Sequence, residues 1–291
     1  MTLSPERLDV PVAGGSLAVY RLGSRGPAVL AIHGITSNSH AWIAAARALG
    51  DRASLVALDL RGRGRSAELP GPYGVAVYAR DLLAVLDRLE LEQTVVVGHS
   101  LGAYIVARLA ADHPKRVRAA VLVDGGLTIP GAVRADPQTF IDAFLGPVLA
   151  RLRERFPNRE AYRDWWRAHP ALRGGVVADR DLIPYADHDL VGEEPELRSA
   201  VMEEAVRADA DEVLAVGEAA QRLAVPATLL CAPRGLFDEP TPMQPLELVR
   251  EWAAKAPDRR QAVQVPDVNH YTILFGERGA ATVAETVRGY L

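Results

Sequence analysis

Cysteine is almost absent from this sequence, since Cys231 is the only one among 291 residues. A single thiol cannot form an internal disulfide, and it cannot build a cysteine-based metal site. Because Cys231 ends an apolar run that begins at Ala227, we expect a buried thiol that packs in the core rather than a reactive one.

Long apolar runs and a strong net charge are missing as well. The sequence has no run of about 18 apolar residues, so it predicts no membrane span. The formal net charge of −4 at pH 7 argues against nucleic acid as the main partner. Residues 1–7 lack the charged-then-apolar pattern of a signal peptide, so we expect a cytoplasmic protein with a small-molecule partner. The sequence gives no indication of the oligomeric state.

Short apolar runs alternate with helical patterns over the first 127 residues. The alternation predicts a doubly wound, mostly parallel α/β sheet. A hairpin turned at Gly14-Gly15 opens the chain, because glycines between two strand-like runs are a hairpin signal. The hairpin strands are predicted over 6–12 and 16–22, and the buried strands over 27–32, 54–58, 93–97 and 117–123.

The alternation stops at Leu127 and resumes near residue 209. Prolines and glycines divide the stretch between them into helical pieces, which predict a helical insertion over 128–208. We therefore expect a core domain of residues 1–127 and 209–291. The helical pieces lie at about 137–156, 159–168 and 194–208, and after them follow helices at 210–223, 245–256 and 277–290 and strands at 226–232 and 261–265.

The strand over 93–97 ends in Gly98-His99-Ser100-Leu101-Gly102, and a helical pattern follows it. In a G-x-S-x-G turn between a strand and a helix, small residues let the two backbones approach and lift the serine out of the sheet. The first N–H of the helix then points at the group that the serine attacks. Ser100 is therefore the predicted nucleophile, and Leu101 N–H is one predicted oxyanion donor.

A serine hydroxyl needs a base in hydrogen-bond reach, and the base needs an acid that orients it. With an elbow of this kind the acid and the histidine follow the serine in the chain. His270 fits the base, because it is the last of seven histidines and lies just past the final strand. Asp238, after the strand over 226–232, is the favoured acid. Asp124, directly after the strand over 117–123, is the alternative.

The second oxyanion donor is expected in the loop His33-Gly34-Ile35, after the third strand. We predict the main-chain N–H of Ile35, because Gly34 lets the backbone turn its amides toward the site. His33 is expected to brace this loop through hydrogen bonds. His99 is expected to point away from Ser100, because it directly precedes it in the elbow.

Taken together, these motifs resemble those of the α/β-hydrolase superfamily. The matching features are His33-Gly34, the stretch 59–66, the elbow at 98–102 and Asp238 with His270, and they cover nearly the whole chain outside the insertion. Asp59 is expected to fix the loop that follows it. Because the superfamily's epoxide hydrolases and haloalkane dehalogenases carry aspartate where this chain has serine, they are disfavoured.

The resemblance implies a serine hydrolase that cleaves a small to medium apolar ester, lactone or thioester through an acyl-enzyme, with no cofactor and no metal. A carbon–carbon bond hydrolase of diketone-like substrates stays open as an alternative. A non-catalytic protein that binds small molecules is the third reading.

The resemblance also implies that the insertion is a helical cap, placed after strand six and over Ser100. Its aromatic residues are candidates for the wall of an apolar substrate pocket, with the alternative that they form the core of the cap. The arginines of the insertion are interpreted as a solvated helix face, or one of them contacts a substrate carboxylate. His188 between two aspartates is too little for a metal site. The aromatic candidates are Phe140, Phe144, Trp165 and Trp166, and the arginines are Arg151, Arg153, Arg155, Arg159, Arg163 and Arg167.

Overall fold

The computed structural model describes residues 5–23, 25–129, 146–213 and 217–291. Within them, strands and helices alternate as the sequence predicts. The strands are β1 (Glu6–Val12), β2 (Gly15–Leu22), β3 (Ala28–Ile32), β4 (Ser54–Leu58), β5 (Thr94–His99), β6 (Val117–Val123), β7 (Leu190–Val191), β8 (Arg198–Ser199), β9 (Ala227–Cys231) and β10 (Arg260–Gln264). The helices are α1 (Ile43–Leu49), α2 (Val75–Arg88), α3 (Leu101–Asp112), α4 (146–153), α5 (Arg159–Ala168), α6 (Asp179–Asp189), α7 (Glu203–Val213), α8 (Leu246–Ala254), α9 (Thr272–Phe275) and α10 (Glu277–Arg288).

Eight of these strands form one sheet in the order β1-β2-β4-β3-β5-β6-β9-β10. The pairs from β4 to β10 are parallel, and β1 and β2 add an antiparallel hairpin at the edge. The predicted doubly wound, mostly parallel sheet and its N-terminal hairpin are confirmed.

Both faces of the sheet are covered by helices, which explains why its strands read as continuous apolar runs. Along β3, Val29 and Ala31 belong to the cluster that contains side chains of α1 and α10. The alternating Leu30 and Ile32 belong to the cluster with α2, α3 and α8. This two-sided burial fixes the register of the strands, because a shift of one residue would exchange the faces.

The parallel pairing brings the carboxyl ends of β3, β5, β6 and β9 to one edge of the sheet. Ile32, His99 and Val123 end neighbouring strands there. In open α/β sheets, ligands bind in the crevice outside these ends. The predicted site residues that follow these strands therefore share one edge.

Between β6 and β9, the described chain forms α4 to α7 and the small β7–β8 pair instead of further strands of the main sheet. We call α4 to α7 the helical segment. The sequence prediction was wrong about some helix bounds here. Helix α6 runs through Pro184, although prolines are expected to divide this stretch. Burial of Leu182 and Tyr185 offsets the hydrogen bond lost at the proline. Helix α7 spans residue 208, where the insertion was expected to end.

None of the helices in the described ranges combines the length and apolar character that crossing a membrane requires.

Candidate active site

Ser100 lies in a tight turn between β5 and α3, with φ 54° and ψ −121°. Positive φ is uncommon for a residue with a side chain and persists only where the surroundings impose it. Here, the Ser100 N–H donates to the carbonyl of Val123 at the end of β6, at 2.9 Å, and Ser100 O accepts from the Ala103 N–H at 2.9 Å. The neighbouring strand and the first turn of α3 thus hold the strained conformation.

The glycines on either side allow this turn because there is no room for side chains. A Cβ atom at Gly98 would lie 2.2 Å from the carbonyl oxygen of Gly102. A Cβ atom at Gly102 would lie 2.1 Å from the carbonyl oxygen of Ile32 on β3. The G-x-S-x-G pattern therefore reflects close approach of strand and helix backbones, as the sequence predicts.

His270 is oriented by Asp124. Its Nδ1 donates to Asp124 Oδ2 at 2.7 Å, and the second carboxylate oxygen accepts from the Ala232 N–H at 3.0 Å. Both side chains are buried, and Asp124 is fully so. Because Nδ1 carries the hydrogen in this bond, Nε2 is the acceptor of the neutral imidazole.

The prediction that Asp238 orients His270 was wrong, because the hydrogen bond from His270 goes to Asp124. Asp238 pairs with Arg234 at 3.0 Å and accepts from the side-chain amide of Asn269 at 2.9 Å, and its side chain is 38% exposed. It lies well past the end of β9, whereas Asp124 directly follows β6, the neighbour of the strand that carries Ser100. Asp238 thus fixes the loop beside His270 rather than the imidazole itself.

His99 contacts the backbone of His270, a role that the sequence analysis does not predict. Its Nε2 donates to the carbonyl oxygen of His270 at 2.8 Å, and the two rings are 4.7 Å apart. Burial lowers the pKa of His99 well below its ordinary value, so this ring stays neutral. His99 therefore holds the backbone of His270 in place.

Ser100 and His270 both line a small cavity of about 40 Å³. The loop of residues 33–37, which we call the oxyanion loop, forms another part of its wall. A Cβ atom at Gly34 would lie 3.2 Å from Ser100 Cβ, so this loop is pressed against the predicted nucleophile. The other lining residues are Thr36, Ser37, Ile35, His99, Val148, Tyr185, Leu236, Tyr271 and Phe275.

The predicted oxyanion donors are the N–H groups of Leu101 and Ile35. Leu101 is the first residue of α3, and the first four N–H groups of a helix have no intrahelical acceptor. Ile35 lines the cavity in the oxyanion loop. His33 braces this loop as expected, because its Nδ1 donates to Gly34 O at 2.7 Å and its Nε2 accepts from Leu60 N–H at 3.0 Å.

A larger cavity of about 360 Å³ adjoins the first, with Val148 and Tyr271 lining both. Most of its wall is apolar, and two polar side chains, Arg151 and His169, interrupt it. Burial lowers the pKa of His169 to about 4, so this imidazole is neutral near pH 7. The remaining lining residues are Pro147, Trp165, Ala168, Pro170 and Phe237.

The two adjacent tryptophans of α5 have different environments. Trp165 lines the larger cavity, in agreement with the prediction. Trp166 is 1% exposed and packs against the rings of Tyr162, Tyr185 and Tyr271, so its proposed substrate contact was wrong and it belongs to the core of the helical segment. Phe140 and Phe144 lie outside the described residues.

Arg151 is not part of a solvated face, because it is only 1% exposed. Its Nη1 donates to Asp189 at 2.7 Å and to the Tyr162 hydroxyl at 2.5 Å. Arg163 and Arg167 do lie near the surface, where they pair with carboxylates of α6.

Asp59 fixes the loop after β4, as the sequence predicts. Its two oxygens accept from the N–H groups of Ser39 and Arg65, each at 2.8 Å. His188 of α6 adds a third contact at 2.7 Å, so it serves as a packing contact between helix and core. In the part of the chain that the structure describes, no three His, Cys, Asp or Glu side chains come together as a metal site.

The chain matches the family model described as the α/β hydrolase fold over residues 27–277, and it belongs to that family. A crystal structure of E-2-(acetamidomethylene)succinate hydrolase superposes with a TM-score of 0.80 at 22% identity and covers 99% of both chains.

Curated relatives match over shorter segments. A 2-(acetamidomethylene)succinate hydrolase of Mesorhizobium japonicum is 36% identical over 151 residues, which are 49% of this chain and 53% of that protein. Lipase LipV of Mycobacterium tuberculosis is 38% identical over 117 residues, 40% of this chain and 44% of the lipase. An uncharacterized protein of Mycobacterium bovis is 38% identical over 127 residues, 43% of this chain and 36% of its own length. The matches thus span about half or less of each curated relative.

Proposed function

We propose that the protein is a serine hydrolase that cleaves a small to medium apolar ester, lactone or thioester. The observation that carries the proposal is the 2.7 Å hydrogen bond from His270 to the buried carboxylate of Asp124, beside Ser100 in one cavity. An oriented imidazole next to a strained, accessible serine is the arrangement that activates a hydroxyl for attack.

In the proposed reaction, Ser100 Oγ attacks the substrate carbonyl carbon while His270 Nε2 takes its proton. The hydrogen bond between a catalytic hydroxyl and its base is often long in a free enzyme and tightens when substrate binds. The carbonyl π electrons move onto oxygen, and the N–H groups of Leu101 and Ile35 stabilise the oxyanion. Asp124 stabilises the imidazolium that has formed.

Collapse of the tetrahedral intermediate expels the alcohol or thiol, which takes the proton from His270 Nε2. This leaves an ester between Ser100 and the acyl group. Water then attacks the acyl carbon, with His270 as its base, and the acid leaves as Ser100 recovers its proton. Every proton that His270 accepts is returned, so no cofactor or oxidant is required.

The substrate class follows from the larger cavity. Its wall is mainly apolar, and Trp165, Phe237 and Tyr271 supply broad aromatic surfaces to an acyl chain or ring. We propose that the insertion expected over 128–208 acts as a cap on the core domain, because its described helices α4 and α5 provide part of this wall.

Relatives named as a lipase and as a 2-(acetamidomethylene)succinate hydrolase support a hydrolytic activity. Because these two names differ, ester cleavage by this protein is tested directly.

The test is turnover of p-nitrophenyl butyrate by the purified protein and by Ser100→Ala, with covalent labelling by an alkyl fluorophosphonate. We expect turnover and a mass increase on the tryptic peptide that holds Ser100, both lost in the variant. Equal turnover in the two proteins, or none in either together with no labelling, would overturn the proposal. A parallel assay with a 1,5-diketone distinguishes carbon–carbon bond hydrolysis, which would be faster than ester cleavage if that alternative were correct.

A further inference from the structure

Three consecutive carbonyl groups of the oxyanion loop each accept a hydrogen bond from a buried side chain. Gly34 O accepts from His33 Nδ1 at 2.7 Å. Ile35 O accepts from Arg63 Nε at 3.0 Å, and Thr36 O accepts from an Arg151 Nη2 proton at 3.0 Å. A short loop with three consecutive carbonyls held in this way has little freedom to rotate those peptide planes.

Arg63 is itself held by the helical segment. Its side chain is fully buried, and its Nη2 donates to Asp209 of α7 at 2.5 Å. The hydroxyl of Tyr78 completes the contact, because it accepts from Arg63 at 2.9 Å and donates to the Asp209 carboxylate at 2.9 Å.

Arg151 of α4 makes a second connection, from α6 to the oxyanion loop. It pairs with Asp189, the last residue of α6, at 2.7 Å, and both side chains are at most 3% exposed. The guanidinium also lies over the Trp166 ring, 5.0 Å from its centroid. Two buried arginine–aspartate pairs therefore connect α6 and α7 to adjacent carbonyls of one loop.

The geometry of the peptide bond transmits these contacts to the N–H groups. A peptide unit is planar, so fixing the carbonyl of one residue also fixes the N–H of the next. His33 thereby orients the N–H of Ile35, and Arg63 orients the N–H of Thr36. Hydrogen bonds from charged donors are about twice as strong as neutral ones, so the two arginines hold the loop firmly.

We propose that Arg63 and Arg151 are positioning residues through which the helical segment sets the oxyanion loop. The loop takes the geometry that accepts an oxyanion only when Asp209 and Asp189 hold the two arginines in place. The segment therefore supports the chemical step as well as the pocket wall. This inference rests on the proposed function, because the loop matters for turnover only if Ser100 attacks a carbonyl.

The test removes one pair completely. Deleting a single partner would leave an uncompensated buried charge, whereas replacing both with apolar residues of similar volume is often neutral for stability. The variant is therefore Arg63→Met/Asp209→Leu, with Tyr78→Phe as a milder second change that removes only the hydroxyl bound to both residues.

Arg61 and Asp81 provide a matched control. They form another buried arginine–aspartate pair, at 2.5 Å with side-chain exposures of 2% and 7%, only two residues away from Arg63. The remaining donor of Arg61 binds the carbonyl of Pro70 rather than the oxyanion loop. Arg61→Met/Asp81→Leu thus tests the loss of a buried pair without loss of a loop contact.

Two measurements are made on each protein: steady-state hydrolysis of p-nitrophenyl butyrate, and amide hydrogen exchange of the peptide covering the oxyanion loop. For the Arg63 pair we expect kcat to fall about 10- to 100-fold with KM within about threefold of the parent, because oxyanion contacts act in the transition state. Exchange in the loop should become faster. Tyr78→Phe should shift both quantities in the same direction by less, and the Arg61 pair should leave both within about threefold of the parent.

The inference is overturned if loop exchange in the Arg63 pair matches the parent, or if the Arg61 pair loses as much kcat. If the parent shows no Ser100-dependent hydrolysis, the proposed function fails and the exchange data alone decide whether Arg63 holds the loop. If the Arg63 double variant does not fold, kcat and loop exchange of Tyr78→Phe are compared with those of the parent instead, and unchanged loop exchange overturns the inference.

Discussion

His270 and Asp124 are hydrogen bonded at 2.7 Å although 146 positions separate them in the chain. Asp124 adopts a positive φ of 47° directly after β6, which turns its carboxylate along the edge of the sheet. His270 reaches it from the loop after β10. The parallel order β5-β6-β9-β10 is what allows residues from these two loops to meet beside Ser100.

Asp124→Asn should therefore lower kcat for ester hydrolysis by about 10⁴-fold, because an amide in this position no longer favours the imidazolium and can hold the wrong tautomer. Asp238→Asn is the matched change, and we expect it to cost less than about tenfold, since Asp238 contacts Asn269 and Arg234 instead. Steady-state kinetics on both variants make the comparison. A larger loss from the Asp238 change would show that the acid is wrongly assigned.

Gly98→Ala should lower the free energy of unfolding by about 3 kcal/mol, because a Cβ atom would meet the Gly102 carbonyl oxygen at 2.2 Å and both backbones are fixed. Gly146→Ala is the control. Apart from its chain neighbours and its own helix backbone, a Cβ atom at this position of α4 would have no atom of the described residues within 4 Å, so the change should be neutral or raise the stability by about 0.5–1 kcal/mol. Urea unfolding gives both values, and equal effects at the two positions would contradict the close approach.

Acid should destabilise the protein below about pH 6.5. Burial lowers the pKa of His33 and of His169 to about 4 each, and that of His40 to about 3. Above pH 6.5 these rings are neutral in both states. Between pH 6.5 and 4 the unfolded chain binds protons that the folded chain does not, so stability falls as pH falls.

Each such histidine contributes about 2 kcal/mol to the loss between pH 7.5 and pH 5. His169→Phe should reduce that loss by about this amount in urea unfolding at the two pH values. If the variant loses as much stability as the parent between the two pH values, the neutral buried state of His169 is refuted.

Trp165→Ala should mainly change KM for substrate, whereas Trp166→Ala should mainly lower the stability of the protein. Removing the nearly fully buried Trp166 should cost about 3–5 kcal/mol of stability, as for other large core side chains. Removing Trp165 should instead raise KM for p-nitrophenyl octanoate by about tenfold more than for the acetate, because only the longer chain reaches the cavity wall. Thermal unfolding measures the stability of both variants, and KM of each variant is compared with that of the parent for both esters. A loss of stability from Trp165→Ala and a change in KM from Trp166→Ala would contradict the placement of the two side chains.

The alternation of strands and helices and the elbow at Ser100 could be predicted because both depend on residues close in sequence. The choice between Asp124 and Asp238 could not, since each follows a strand. It depends on which strands are neighbours in the sheet, which is a non-local property. The sequence did contain one signal that favours Asp124, which is that it directly follows β6.

Burial in the helical segment was equally hard to predict. Arg151 occurs among regularly spaced arginines, and only its pairing with Asp189, 38 residues further on, distinguishes it from a surface side chain. Trp165 and Trp166 are consecutive in α5, and consecutive side chains of a helix point about 100° apart. Which of them faces the cavity is decided by the packing of α5 on its neighbours.

The unit from β5 to β6 carries both the serine and the carboxylate, and it ends before the helical segment begins. A recombination event that exchanged residues between Asp124 and β9 would leave that unit intact in the gene. It would replace Trp165 together with Arg151, Asp189 and Asp209, which means the pocket wall and the anchors of the oxyanion loop. Under the proposed function, such a lineage would inherit a new substrate range and a new turnover rate as one change.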